Sequence, residues 1–107
     1  MGGKRRSINE AVPSEITARL DEYRGQISEL DTEILRLLNA RATCAGEIGQ
    51  LKEKVGMETY QPARERAVLE HVRGVNGGPL SSEAVTRVFE RIIDESRRLE
   101  RTMKGCD

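Results

Sequence analysis

The sequence has few of the features that mark secreted, membrane or metal-binding proteins. Its two cysteines, Cys44 and Cys106, are far apart and form no CxxC motif, and no apolar run is long enough for a signal peptide or a membrane span. We therefore expect a reduced, cytoplasmic protein in which Cys44 is a packing residue. The single histidine, His71, has too few neighbouring ligands for a metal site, so we expect no metal and a surface or core position for it.

An excess of charge of either sign is also missing. Lys and Arg total 18, and Asp and Glu total 18, so the formal net charge is zero. No overall field draws such a protein to nucleic acid or to an anionic membrane, and we expect neither as a partner. Charge that serves function must therefore act locally.

Proline is scarce, which leaves room for a long helix. No proline occurs between Pro13 and Pro62, and Ser14 is a residue type that caps helix N-termini. Beyond it, apolar residues recur at helical spacing until Gly56: Leu20, Ile27, Leu30, Ile34, Leu37, Leu38, Ala45, Ile48 and Leu51. This pattern predicts one long first helix.

Two shorter helices are predicted after it. Pro62 suits the first turn of a helix that reaches about Arg73, and the glycine-rich stretch Gly74–Pro79 then breaks the chain. Ser81 or Ser82 can cap a third helix, whose apolar residues are Val85, Val88, Phe89, Ile92, Ile93, Leu99 and Met103. Because no strand-like alternation appears, the predicted fold class is all-α with three helices.

The predicted first helix is too long for a compact domain of this size. At 107 residues the chain suits one domain, predicted over residues 14–104 between flexible tails at 1–13 and 105–107. A helix from Ser14 to Lys54 is about 60 Å long, whereas such a domain has a radius of gyration of about 13 Å. Much of the helix must project, and a second copy can cover its apolar residues. We therefore expect an intertwined homodimer.

Polar side chains interrupt the apolar faces of the first and third helices. Arg41 and Lys52 lie on the apolar side of the first helix, and the apolar face of the third continues to Ser96 and then Glu100. Taken singly, Arg41 and Lys52 are more often snorkelling side chains. Ser96 alone could bond back to a helix carbonyl, and Glu100 alone could be solvated. Together they are costly to bury unless a ligand or counter-ion compensates them, which predicts a pocket for a small anion.

Arg24 needs a second chain to join that pocket. It lies about 25 Å from Arg41 along an ideal helix axis, too far for both to hold one small molecule. An antiparallel partner chain could bring Arg24 there.

Three segments resemble the all-helical chorismate mutases of the AroQ type: Ile27–Lys52, Ala63–Leu69 and Val85–Glu100. The resemblance implies a three-helix chain that dimerises through its long first helix. It also implies two sites that convert chorismate to prephenate by a sigmatropic (Claisen) rearrangement, within phenylalanine and tyrosine biosynthesis.

The resemblance also implies how the substrate carboxylates and the ether oxygen are bound. Arg41, and Arg24 from the other chain, would bind the two carboxylates. Ser96 would assist at a carboxylate, and Lys52 would contact a carboxylate and the ether oxygen.

Further roles follow from the same resemblance. Glu65 would hold the ring hydroxyl, and Glu100 stands where the family has Gln or Glu facing the ether oxygen. Gln61 departs from the pattern, because many members have Asp close to the hydroxyl at that position. A backbone contact at Gln61 would survive the change.

The rearrangement requires neither a proton transfer nor a covalent intermediate, so cations and hydrogen-bond donors suffice and no cofactor is expected. Two alternatives stay open. One is an isochorismate-pyruvate lyase of the same fold, because a similar cationic pocket can steer a related ether to elimination. The other is a non-catalytic helical dimer that serves as a regulatory or docking module.

Overall fold

A computed structural model describes residues 12–103 of the chain, with side chains as far as Thr102. The described range contains three helices and no strand: α1 Ser14–Val55, α2 Pro62–Val75 and α3 Ser82–Met103. The predicted all-α class with a long first helix is thus confirmed. Residues 1–11 and 104–107, which hold most of both predicted tails and Cys106, lie outside the described residues.

The chain divides into two compact units, and α1 runs through the division. The first unit ends at Leu38 and the second begins at Asn39. A single domain over residues 14–104 stays a prediction.

The N-terminus of α1 differs by one residue from the predicted cap. Ser14 is already helical, and the carbonyl oxygen of Pro13 accepts hydrogen bonds from the amides of Ile16 and Thr17 at 3.0 and 3.1 Å. Proline suits this place because its fixed φ and missing N–H cost nothing just before the first turn.

In the first unit, α1 carries a stripe of exposed apolar side chains, here named the apolar stripe: Ile16, Leu20, Tyr23, Ile27, Leu30, Ile34 and Leu37. Their alternating spacings of four and three residues are those of a coiled-coil seam. Leu30, for example, is 60% exposed. The stripe is therefore suited to a helical partner.

In the second unit, α1 ends in a turn that redirects the chain towards α2. Gly56 has a φ of +67°, and the amide of Met57 donates to the carbonyl of Lys52 at 2.9 Å, while the amide of Gly56 donates to Glu53 at 3.3 Å. This Schellman arrangement requires a positive φ, which glycine adopts without strain.

Helices α2 and α3 pack against each other as a hairpin. Pro62 occupies the first turn of α2 as predicted, and α2 continues to Val75, about half a turn beyond the predicted end. Ser81 caps α3, because its Oγ accepts from the Ala84 amide at 3.0 Å. A hydrogen bond of 3.0 Å from Arg73 to Thr86 ties the end of α2 to the start of α3.

The core of the second unit is small. Ala45, Val85 and Ile93 are its buried apolar side chains, and Gly49 is also buried. A Cβ atom on Gly49 would lie 2.9 Å from the Glu100 carbonyl oxygen, so α1 and α3 approach closely here. This approach brings the polar ends of both helices together. Within the described range, no helix has the length and apolar character needed to cross a membrane.

Candidate active site

A cavity of about 440 Å³ in the second unit is lined by residues of all three helices and of the connector before α2. The lining residues are Arg41, Cys44, Ala45, Ile48, Lys52, Gln61, Arg64, Glu65, Val68, Ile93 and Glu100. A volume of this size accommodates a small organic molecule. A smaller cavity of about 50 Å³ shares part of this lining and adds Thr59 and Arg97.

Arg41 and Ser96 meet although α1 and α3 are far apart in sequence. The Nη1 atom of Arg41 donates to the Oγ atom of Ser96 at 2.5 Å. The hydroxyl therefore orients the guanidinium, and its own proton stays available for an acceptor in the cavity.

Lys52 and Glu100 form the second contact between α1 and α3. The Lys52 Nζ atom lies 2.9 Å from Glu100 Oε1, and these two side chains are only 14% and 13% exposed. Nζ also donates to the carbonyl oxygen of Thr59 at 3.1 Å. Because an ammonium group has three N–H donors, one remains for a ligand.

Three polar side chains on α2 and just before it line the same cavity. Gln61, Arg64 and Glu65 are members of its lining. The Gln61 amide donates to the carbonyl oxygen of Glu58 at 3.1 Å, and Glu65 pairs with Arg97 at 3.1 Å. The Glu65 carboxylate is therefore held by α3.

The structure thus brings together six of the predicted site residues: Arg41, Lys52, Gln61, Glu65, Ser96 and Glu100. The seventh, Arg24, belongs to the first unit. There it lies 3.8 Å from Asp21 and is 72% exposed. His71 is exposed, which is one of its two predicted positions.

Cys44 differs from its prediction as a packing residue, because it is exposed and lines the cavity. Its place on the cavity face explains the difference: the apolar side of α1 faces open space there. Within residues 12–103, no cluster of three His, Cys, Asp or Glu side chains is placed to hold a metal ion.

Two cations that line the cavities are not among the predicted site residues. They are Arg64 and Arg97. Both could have been found from helical spacing, since Arg64 lies three residues after Gln61, and Arg97 lies four after Ile93 and three before Glu100.

The two cavities together carry an excess of positive charge. Arg41, Lys52, Arg64 and Arg97 supply four cations, and Glu65 and Glu100 supply two carboxylates, which leaves a formal excess of two positive charges. A small molecule with two anionic groups would balance this excess.

Comparisons with known proteins agree with this geometry. The family model described as chorismate mutase type II matches residues 23–101. The chain belongs to this family. The resemblance noted in the sequence is therefore confirmed.

Relatives in this family include single-function and bifunctional enzymes. The bifunctional chorismate mutase/prephenate dehydratase of Neisseria gonorrhoeae is 43% identical over 81 residues, covering 76% of this chain and 22% of that protein. The chorismate mutase of Methanocaldococcus jannaschii is 25% identical over 84 residues, covering 78% of this chain and 85% of that protein. The chain thus spans about a quarter of the length of the bifunctional relatives it matches.

A solved chorismate mutase structure from Thermus thermophilus has the same fold. It aligns with a TM-score of 0.75 at 34% identity, over 77% of this chain and 93% of that chain. The likeness therefore covers about three quarters of this chain.

Proposed function

We propose that the chain is a chorismate mutase, which converts chorismate to prephenate. The observation that carries the proposal is the positively charged cavity of the second unit, in which Arg41, Lys52, Ser96, Glu65 and Glu100 converge. Chorismate has two carboxylates, which suit a cavity with an excess of positive charge. Membership of the chorismate mutase type II family supports this substrate.

The rearrangement breaks the carbon–oxygen bond of the ether and forms a carbon–carbon bond, without transferring a proton. Catalysis then consists of holding the reactive conformer and stabilising negative charge on the ether oxygen. Lys52 is suited to the second task, because one of its N–H donors is left after those to Glu100 and Thr59. Its low exposure strengthens the interaction by limiting solvent screening.

Arg41 and Ser96 are proposed to bind one carboxylate together. Ser96 accepts from Arg41 and can donate its own proton onward, so the two groups present adjacent donors to one anion. Arg64, exposed at the same cavity, adds a further cation for the substrate carboxylates.

Glu65 is proposed to accept a hydrogen bond from the ring hydroxyl. A carboxylate is an acceptor-only group when ionised, which suits a hydroxyl donor. One N–H of the Gln61 side-chain amide donates to the Glu58 carbonyl, and the Gln61 backbone carbonyl accepts from the Glu65 amide at 3.1 Å. The second side-chain N–H, the side-chain oxygen and the backbone N–H are the groups left for that end of the substrate.

Glu100 is proposed to face the ether oxygen beside Lys52. It can donate a hydrogen bond there only when protonated, and as a carboxylate it pairs with Lys52 instead. A side-chain amide at this position would donate in its only form, which makes Glu100→Gln an informative variant.

We further propose that two copies associate through the apolar stripe and that Arg24 of each completes the cavity of the other. The stripe is exposed along its whole length in the single chain, as expected of a surface that a partner covers. Arg24 lies within the segment that carries the stripe, and its partner there is the exposed Asp21. This leaves its charge available to a substrate carboxylate.

The direct test is a spectrophotometric assay of chorismate loss, run beside the same assay with isochorismate. We expect prephenate from chorismate and no pyruvate from isochorismate. Pyruvate release from isochorismate alone would instead identify a lyase, and inertness to both would identify a binding module.

A further inference from the structure

Arg97 is a guanidinium at the boundary of the candidate site for which the proposed chemistry has no role. It follows Ser96 on α3 and is 26% exposed. Its Nη2 atom lies 3.1 and 3.2 Å from the two carboxylate oxygens of Glu65, and 3.1 Å from Asp94. One nitrogen therefore contacts both oxygens of a carboxylate on another helix.

The guanidinium itself is held on several sides. Its Cζ atom lies 5.1 Å from the centre of the Tyr60 ring, within the range of a cation–π contact, and Asp94 fixes it from its own helix. Its Nε atom is buried and has no hydrogen-bond partner among the described residues. Burying an unpaired donor is unfavourable, so stability alone is a poor reason for an arginine here.

Glu65 has several cations within reach of its cavity. Arg41, Lys52 and Arg64 line the same space, and a glutamate side chain has three rotatable bonds. If Glu65 turned to one of these cations, it would neutralise a group needed for a substrate carboxylate and would leave the ring hydroxyl without an acceptor. The contact with Arg97 prevents both outcomes.

We propose that Arg97 is a positioning residue that directs Glu65 towards the ring hydroxyl of the substrate. The proposal rests on the proposed function, because it assigns the hydroxyl to Glu65. Arg97 does not touch the reacting atoms in this assignment. It acts by pairing with one carboxylate, which leaves Arg41 and Arg64 free for the substrate's own carboxylates.

The test compares Arg97→Met with Arg98→Met. Methionine keeps an unbranched apolar stem beside Tyr60 and removes the charge, and Arg98 is an exposed neighbour whose contact to Glu95 is 4.0 Å long. Since a contact to the hydroxyl exists before and during the reaction, its loss raises KM more than it lowers kcat. We expect kcat/KM for Arg97→Met to fall by about tenfold or more, mostly through KM, and Arg98→Met to stay within about twofold of the parent.

Two further measurements separate positioning from a structural role. In a Glu65→Gln background, the effect of Arg97→Met should largely disappear. With a chorismate analogue that lacks the ring hydroxyl, Arg97→Met should lose less kcat/KM than with chorismate, because only the misdirected pairing of Glu65 with a cation then remains. Equal losses on both substrates, or the full loss in the Glu65→Gln background, would overturn the proposal.

The outcomes also separate this proposal from the proposed function. A parent that does not convert chorismate overturns both, whereas an active parent with an unaffected Arg97→Met variant overturns only the role of Arg97. If Arg97→Met does not fold by circular dichroism, Arg97→Lys decides. Lysine keeps the charge but lacks the planar guanidinium group, so we expect a rise in KM smaller than that of Arg97→Met. Parent-like kinetics of Arg97→Lys would overturn the proposal.

Discussion

In the two units of the chain, polar side chains find their hydrogen-bond partners at very different distances along the sequence. In the second unit, Arg41 bonds to a residue 55 positions away, Lys52 to one 48 away, and Glu65 to one 32 away. In the first unit, the side-chain contacts of the described residues reach at most four positions along the helix, as between Arg36 and Glu33. The second unit thus has a cluster of polar side chains held by contacts between helices, whereas the first has a helix with an exposed apolar stripe.

Because of this difference, we expect substitutions in the two units to lower activity by different routes. Tertiary packing has already organised the cavity of the second unit, so variants there should change turnover directly. The first unit offers the exposed Arg24 and an uncovered stripe, so variants there should act through association with a second copy. The two kinds of residue can be distinguished by experiment.

The largest effect is expected for Lys52→Ala. Its side chain is only 14% exposed, and its ammonium is assigned to the charge on the ether oxygen. Loss of such a donor typically lowers kcat by about a hundredfold or more. Steady-state kinetics of chorismate loss measure the effect.

Lys54→Ala is the matched control, because Lys54 is exposed and lies outside the candidate site. It should keep near-parent kinetics. Near-normal turnover of a folded Lys52→Ala variant would remove Lys52 from the reaction.

A further effect is expected at Glu100, whose carboxylate pairs with Lys52 at 2.9 Å. A side-chain amide has the same shape and donates hydrogen bonds, whereas an ionised carboxylate only accepts them. We therefore expect Glu100→Gln to keep or raise kcat/KM for chorismate, and Glu100→Ala, which has no polar group there, to lower kcat/KM by about tenfold. Parent-like kinetics of Glu100→Ala would place Glu100 away from the ether oxygen.

Much of this site could be predicted from the sequence, because a helical face continues through its polar interruptions. Arg41, Lys52, Ser96 and Glu100 all lie on apolar faces, and the structure joins them in two contacts between α1 and α3. Their assignment to particular substrate groups came from the family resemblance and stays a prediction.

Other contacts of the site depend on distances between chain segments, which the spacing of residues in the sequence does not give. The Thr59 carbonyl reaches Lys52 because Gly56 turns the chain with a positive φ, and no residue type at position 59 indicates this contact. The pairing of Arg97 with Glu65 depends on the distance between α2 and α3. Periodicity gives the face of each helix, but it does not give that distance.

The smallest effects are expected from a pair of glycines, one in each unit. A Cβ atom at Gly49 would lie 2.9 and 3.0 Å from the carbonyl oxygen and Cα of Glu100, whereas Gly25 has nothing within 4 Å. Gly49→Ala should destabilise the fold by about 1–3 kcal/mol, because helix backbones must move. Gly25→Ala should stabilise it by about 0.5–1 kcal/mol through helix propensity.

Urea unfolding monitored by circular dichroism measures both changes in one experiment. Gly49→Ala should also lower turnover, since it displaces Glu100, and Gly25→Ala should not. A Gly49→Ala variant as stable and as active as the parent would contradict the close approach of α1 and α3.

The central claim is that the first unit of one copy completes the cavity of another. It is tested most directly by mixing Arg24→Ala with Arg41→Ala, each of which should be nearly inactive alone. After subunit exchange, each mixed dimer should contain one intact site of two, so an equal mixture should regain about a quarter of the parent activity. Recovery at that level is the predicted result. No recovery, with exchange demonstrated by native mass spectrometry, would contradict a site shared between chains.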